Sequence, residues 1–78
     1  MTVSRVDLIL STLNATEVGT LDSIADKLRQ VQEELTALDQ PELADRAVAS
    51  IQALGRGDVV EFKRLRAFLQ SKVGHLRG

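Results

Sequence analysis

Side chains able to do covalent or acid–base chemistry are scarce in this chain. It has 78 residues with a single His, no Cys, no Trp, no Tyr and two Phe. Without Cys there is no thiol nucleophile, no thiolate metal site and no disulfide framework. The lone imidazole, His75, stands close to the C-terminus. That removes multi-His metal sites and any Ser-His-Asp triad not built on this one residue. Glu33 and Glu34 are paired carboxylates, yet adjacent helical residues diverge by about 100° and cannot share a site. Glycosidase-type chemistry needs two carboxyls about 5–10 Å apart in a cleft. A chain this short has little interior left for a cleft. The residue types predict a protein that is not an enzyme and that has no metal or cofactor site.

Recognition through charge remains open. Lys and Arg number 10 against 11 Asp and Glu, a net charge of −1, so the whole molecule has no strong pull toward nucleic acid or anionic lipid. The placement is uneven. Residues 1–57 carry five basic side chains against nine acidic ones, whereas residues 58–78 carry Lys63, Arg64, Arg66, Lys72 and Arg77 against Asp58 and Glu61. Lys63, Arg64, Arg66 and Lys72 are the candidate contacts for an anionic partner. At helical spacing they surround the polar side rather than forming one ridge, while phosphate binding calls for a clustered basic stripe with excess charge. Two Phe offer little for base stacking. The simpler reading is a solvated face whose cations complement the acidic stretch Thr20–Leu38, in the same chain or in a second copy. Arg56-Gly57-Asp58 spells the tripeptide of integrin-binding adhesion proteins, but a Gly hinge followed by a helix cap explains all three residues.

These residues must be positioned by helices. Leu21, Ile24, Leu28, Val31, Leu35 and Leu38 are spaced 3, 4, 3, 4, 3, an a/d heptad stripe that strand alternation cannot produce. Thr20 is placed to cap this helix and Asp22 suits its positive end. Arg29 and Glu33, four apart, form an expected surface pair contributing about 0.3–0.5 kcal/mol. Asp39-Gln40-Pro41-Glu42 ends the helix, because Pro disfavours helical geometry at Gln40 and is welcome in a following first turn. Asp39 with Glu42 reads as a capping box. The next helix presents Leu43, Ala44, Ala47, Val48, Ile51 and Leu54 on one face. Gly55 or Gly57 then takes a left-handed cap, and Asp58 with Glu61 repeats the capping box. The last helix turns Phe62, Leu65, Leu69, Val73 and Leu76 inward, with Val59 and Phe68 at its margins. Before all of these, Ser4 caps a short helix bearing Val6, Ile9, Leu10 and Leu13. Asn14–Gly19 forms a loop, or else the helix carries on from Thr16 with Gly19 as a weak point inside one long bent helix. Thr20–Leu28 resembles the first helix of a bacterial helix-turn-helix, but the stripe runs on without the Gly-containing turn that motif requires.

The sequence thus predicts one all-α domain over residues 1–78, a small antiparallel bundle of about four helices near 4–13, 20–38, 41–54 and 58–74. Apolar runs such as Leu8-Ile9-Leu10 fall far short of the ~20 residues a membrane span needs, and the N-terminus lacks secretory-signal features, so a cytoplasmic protein is expected. A domain of this size buries only about 60–65% of its unfolded surface. Self-association is one remedy. The heptad seam Leu21, Ile24, Leu28, Val31, Leu35 and Leu38, with Leu65 and Leu69 facing its centre, is the expected packing or homodimer seam. The function read from this is a protein–protein interaction module: an adaptor, regulator or small subunit, acting as a homodimer or on a partner with an acidic surface. The second reading is a helical-hairpin nucleic-acid binder, similar in general form to small bacterial dimers that grip paired RNA loops. In that reading Lys63, Arg64, Arg66 and Lys72 contact phosphates. Replacing Leu28 by Asp is expected to unfold or dissociate the protein, read by far-UV circular dichroism and solution mass; unchanged helicity and mass would remove Leu28 from the packing.

Overall fold

The structure, a computed structural model, describes residues 5–76. Ser4, expected to cap the first helix, and Arg77, counted with the basic residues, lie outside the described residues. Helices α1 (Arg5–Asn14), α2 (Leu21–Ala37), α3 (Pro41–Gly55) and α4 (Val59–His75) follow in order, with a 3-10 turn at Ala15–Glu17 after the first. No strand occurs among the described residues. The fold is a small all-α antiparallel bundle, as the apolar periodicity predicts. Each helix packs on its neighbour in the chain and α1 also packs on α4, which closes the ring. Helices α2 and α4 are therefore diagonal to one another.

One core cluster draws on every helix. It contains Ile9 and Leu13 from α1, Ile24, Leu28, Val31 and Leu35 from α2, Ala44, Ala47, Ala53 and Leu54 from α3, and Phe62, Leu65, Leu69 and Val73 from α4. Leu65 and Leu69 share the buried cluster with the α2 stripe from the diagonal helix. The stripe is buried from Ile24 to Leu35, but Leu21 is 64% exposed. The reason is length: ten residues of α1 span about 15 Å and cannot cover the roughly 25 Å of α2. Leu76, expected on the inner face of α4, also lies at the surface beyond the last core turn. On α3 the buried face is mostly Ala and Ser, with Ser50 fully buried and its hydroxyl donating to the Arg46 carbonyl at 3.0 Å. Such small side chains let α3 approach α2 and α4 closely.

The helix ends explain the register. Thr20 Oγ1 accepts from the Ser23 N–H at 3.1 Å, and Asp58 Oδ1 accepts from the Glu61 N–H at 3.1 Å. Both caps fall where the sequence places them. Helix α3 ends in a paired turn: Asp58 N–H donates to Ala53 O at 2.9 Å and Gly57 N–H to Leu54 O at 3.1 Å, with Gly57 at φ +75°. Helix α2 ends the same way, Gln40 N–H donating to Leu35 O at 2.9 Å and Asp39 N–H to Thr36 O at 3.1 Å. Here the left-handed residue is Asp39, at φ +59°. That corrects the expected Asp39–Glu42 capping box. A residue in the left-handed region closing α2 cannot also adopt the extended geometry of an N-cap. Gln40 holds the N-cap position of α3, and its side chain makes no capping bond.

The front of the chain is a separate short helix. Gly19 at φ +123° breaks any continuous path from α1 into α2. Thr16 is buried and donates to the Leu13 carbonyl at 2.6 Å, Lys27 Nζ donates to the Ala15 carbonyl at 3.2 Å, and Arg5 Nε lies 3.5 Å from Glu34 Oε2. Gln70 Nε2 donates to Asn14 Oδ1 at 3.0 Å, tying α1 to α4. Arg29 pairs with Asp26 at 2.8 Å rather than with Glu33. Since only Gly takes left-handed geometry without steric cost, Asp39→Gly is expected to stabilise the fold by about 0.5–1 kcal/mol. A rise in the urea midpoint at unchanged slope reports it; a lower midpoint would mean the Asp39 side chain supports the turn.

Candidate interaction surface

The α4 side chains divide into three directions. Phe62, Leu65, Leu69 and Val73 point into the core. Gln70 leans toward α1 through its bond to Asn14, and Arg66, one turn earlier on that side, lays its guanidinium carbon 5.5 Å from the Phe62 ring centroid. The Nε of Arg66 is buried and meets no hydrogen-bond acceptor among the described residues, so the ring face is its main compensation. Toward α3, Phe68 keeps 38% of its surface exposed.

Phe68 lines one end of an open groove of about 720 Å³ between the start of α3 and the end of α4. Leu43 and Ala49 from α3 and Leu76 from α4 supply the apolar floor with it. Two cations flank the ring: the guanidinium carbon of Arg46 is 5.4 Å from its centroid and Lys72 Nζ is 5.6 Å away. Such contacts hold a half-exposed aromatic ring in place and draw on the Arg and Lys stems as apolar cover. The rim carries Glu42 and Asp45 on the α3 wall and Lys72 and His75 on the α4 wall. A smaller depression, about 230 Å³, continues the same face past Arg46 and Phe68 to Glu61 and Arg64.

The four basic residues singled out from sequence are not brought together. Lys63 is exposed, Arg66 is turned toward Phe62, and Lys72 lies over Phe68 on the opposite edge of the helix. Arg64 Nη2 donates to both carboxylate oxygens of Glu61, at 2.8 and 2.6 Å. That hydrogen bond, reinforced by the Glu61 charge, raises Arg64 above the ordinary guanidinium value. No ion pair joins α4 to α2 among the described residues, because the two helices are diagonal. The residues of the heptad seam are placed differently from the groove: Ile24, Leu28, Val31 and Leu35 are covered by the chain's own helices, while Leu21 is open to solvent. Arg56, Gly57 and Asp58 form the α3–α4 turn as C-cap, left-handed Gly and N-cap.

Sequence reasoning set Phe68 only at the margin of the last helix and did not single out Arg46, Glu42 or Asp45. The signal available was the one aromatic residue standing off the buried stripe. Among the described residues no three His, Asp or Glu side chains cluster as metal ligands would, and no helix is long and apolar enough to cross a membrane. Comparison of the chain with protein families, with curated proteins and with solved structures found no match. Phe68→Ala is expected to cost about 1–2 kcal/mol of stability, against about 2–5 kcal/mol for the fully buried neighbour Leu69→Ala, both by urea unfolding. Equal losses would place Phe68 in the core rather than on a surface available to a partner.

Proposed function

We propose that this protein is a small non-enzymatic protein–protein interaction module, self-associating, that works through the outer surface of α3 and α4. The observation that carries the reading is Phe68, a large aromatic side chain left part-exposed in an apolar-floored groove and steadied by Arg46 and Lys72. Part-exposed aromatic anchors beside Arg are the side chains that contribute most at protein interfaces. The heptad stripe, by contrast, has its apolar face covered within the chain, so contact through it would require exchange of helices between copies.

The nucleic-acid reading has less behind it. Its four basic residues point in different directions, and Arg64 is already bonded to Glu61. Backbone phosphates are gripped by cations that share a face. Sedimentation equilibrium of the purified chain over a wide concentration range, at low and high salt with 260 nm absorbance recorded, separates the readings. A species near twice 8.5 kDa and free of nucleic acid, populated as concentration rises, is expected. A monomer whose excess 260 nm absorbance disappears at high salt, and on Arg64→Glu with Lys72→Glu, would give the function to the basic helix instead.

A further inference from the structure

The α3–α4 groove carries opposite charges on its two walls. Glu42 and Asp45 stand with Arg46 on the α3 wall, which is net acidic, and Lys72 is the fixed cation of the α4 wall, next to His75. Within one chain no ion pair links these walls among the described residues, although they line the same depression. The contact across the groove is Arg46 over the Phe68 ring, not an acid–base pair. Phe68, Leu43, Ala49 and Leu76 contribute the apolar part of the groove's lining.

We propose that this groove is where a second copy of the same chain docks, the two related by a two-fold axis running along the groove. The inference rests on the self-association reading and assigns a surface to it. A closed dimer must place one patch against itself. With the axis along the groove, α3 of one copy lies over α4 of the other, so Glu42 and Asp45 meet the partner copy's Lys72, twice by symmetry. The crossing α3 and α4 run antiparallel, as they do within the chain, and the two Phe68 rings approach across the axis with Arg46 beside them. An axis across the groove would instead lay α3 on α3 and α4 on α4, so that neither Glu42 nor Asp45 would face Lys72. Charge complementarity therefore selects one arrangement of the pair. A two-helix face about 25 Å long and about 20 Å wide offers roughly 500 Å² per copy, or ~1,000 Å² together, at the lower edge of specific interfaces. The dimer formed this way is a weak one, populated at high protein concentration.

Two reversed variants test the arrangement on the whole chain: Glu42→Lys with Asp45→Lys, and Lys72→Glu with His75→Glu. Each alone puts like charges across the interface at both symmetry-related contacts and is expected to weaken self-association about tenfold or more. An equimolar mixture of the two restores opposite charges at both contacts. Native mass spectrometry, which separates the variants by mass, is then expected to show the mixed dimer in clear excess over either like dimer, with affinity near that of the unaltered chain. Far-UV circular dichroism checks that each variant is folded. Should a reversed variant lose helicity, the neutral pair Glu42→Gln with Asp45→Asn and the single change Lys72→Gln replace them, with a smaller weakening expected from each. A dimer of the unaltered chain that ignores these changes, or a mixture without preference for the mixed pair, overturns the groove assignment while leaving self-association standing. A chain that stays at the monomer mass at every concentration overturns both.

Discussion

A 17-residue helix with Ile24, Leu28, Val31 and Leu35 along one side leaves about 17 Å of apolar stripe to be covered, and the rest of the chain is arranged to cover it. Helix α3 lies along one side of α2 and brings a face of Ala44, Ala47, Ser50 and Ala53, small enough for close approach. Helix α1 lies along the other side but is only ten residues long. The last helix then closes the ring from the diagonal corner, with Leu65 and Leu69 filling the middle. Leu21 is exposed because this supply of cover runs out at one end.

The diagonal placement of α2 and α4 decides the electrostatics. An acidic front and a basic tail invite the idea that the two helices neutralise each other, but diagonal helices present their charged sides to opposite directions. The ion pairs that form are instead local or involve α1: Arg29 with Asp26, Arg64 with Glu61, Arg5 with Glu34. Surface pairs of this kind contribute little to stability. Their larger effect is on what remains open. With Arg64 bonded to Glu61 and Arg66 turned toward Phe62, the exposed cation on the α3 side of the α4 end is Lys72, next to Phe68.

Two matching turns place that end of the molecule. Both α2 and α3 stop with a left-handed residue and the same pair of backbone bonds, so each following helix folds back along its predecessor. The second turn folds α4 back along α3, which brings its end beside the start of α3, and the groove is the space between them. Its depth comes from side-chain size. Ala49, Leu43 and Leu76 line the gap beside Phe68 without filling it.

Much of the fold was legible in the residues alone, because periodicity and capping are local physics. The 3-4 spacing from Ile24 to Leu35, Thr20 and Asp58 as caps, Pro41 in a first turn and Gly57 as a hinge each act within one helical turn, and each stands where its chemistry requires. Asp39 misled for a related reason: its side chain suits an N-cap, but the backbone bonds closing α2 hold it in left-handed geometry. The candidate surface was far less legible. Phe68 sits at the margin of its helix by sequence, and its exposure depends on which neighbour stands beside that margin. Arg46 is an ordinary polar position of α3 until α4 is laid against it. The sequence by itself determined the helices, their ends and the residues that must leave water, since those follow from contacts within a few residues. Only the tertiary structure decided that α2 and α4 are diagonal, that the heptad stripe is covered within one chain, and that Phe68, Arg46, Lys72, Glu42 and Asp45 share one groove. Those facts depend on which helix faces join across the bundle.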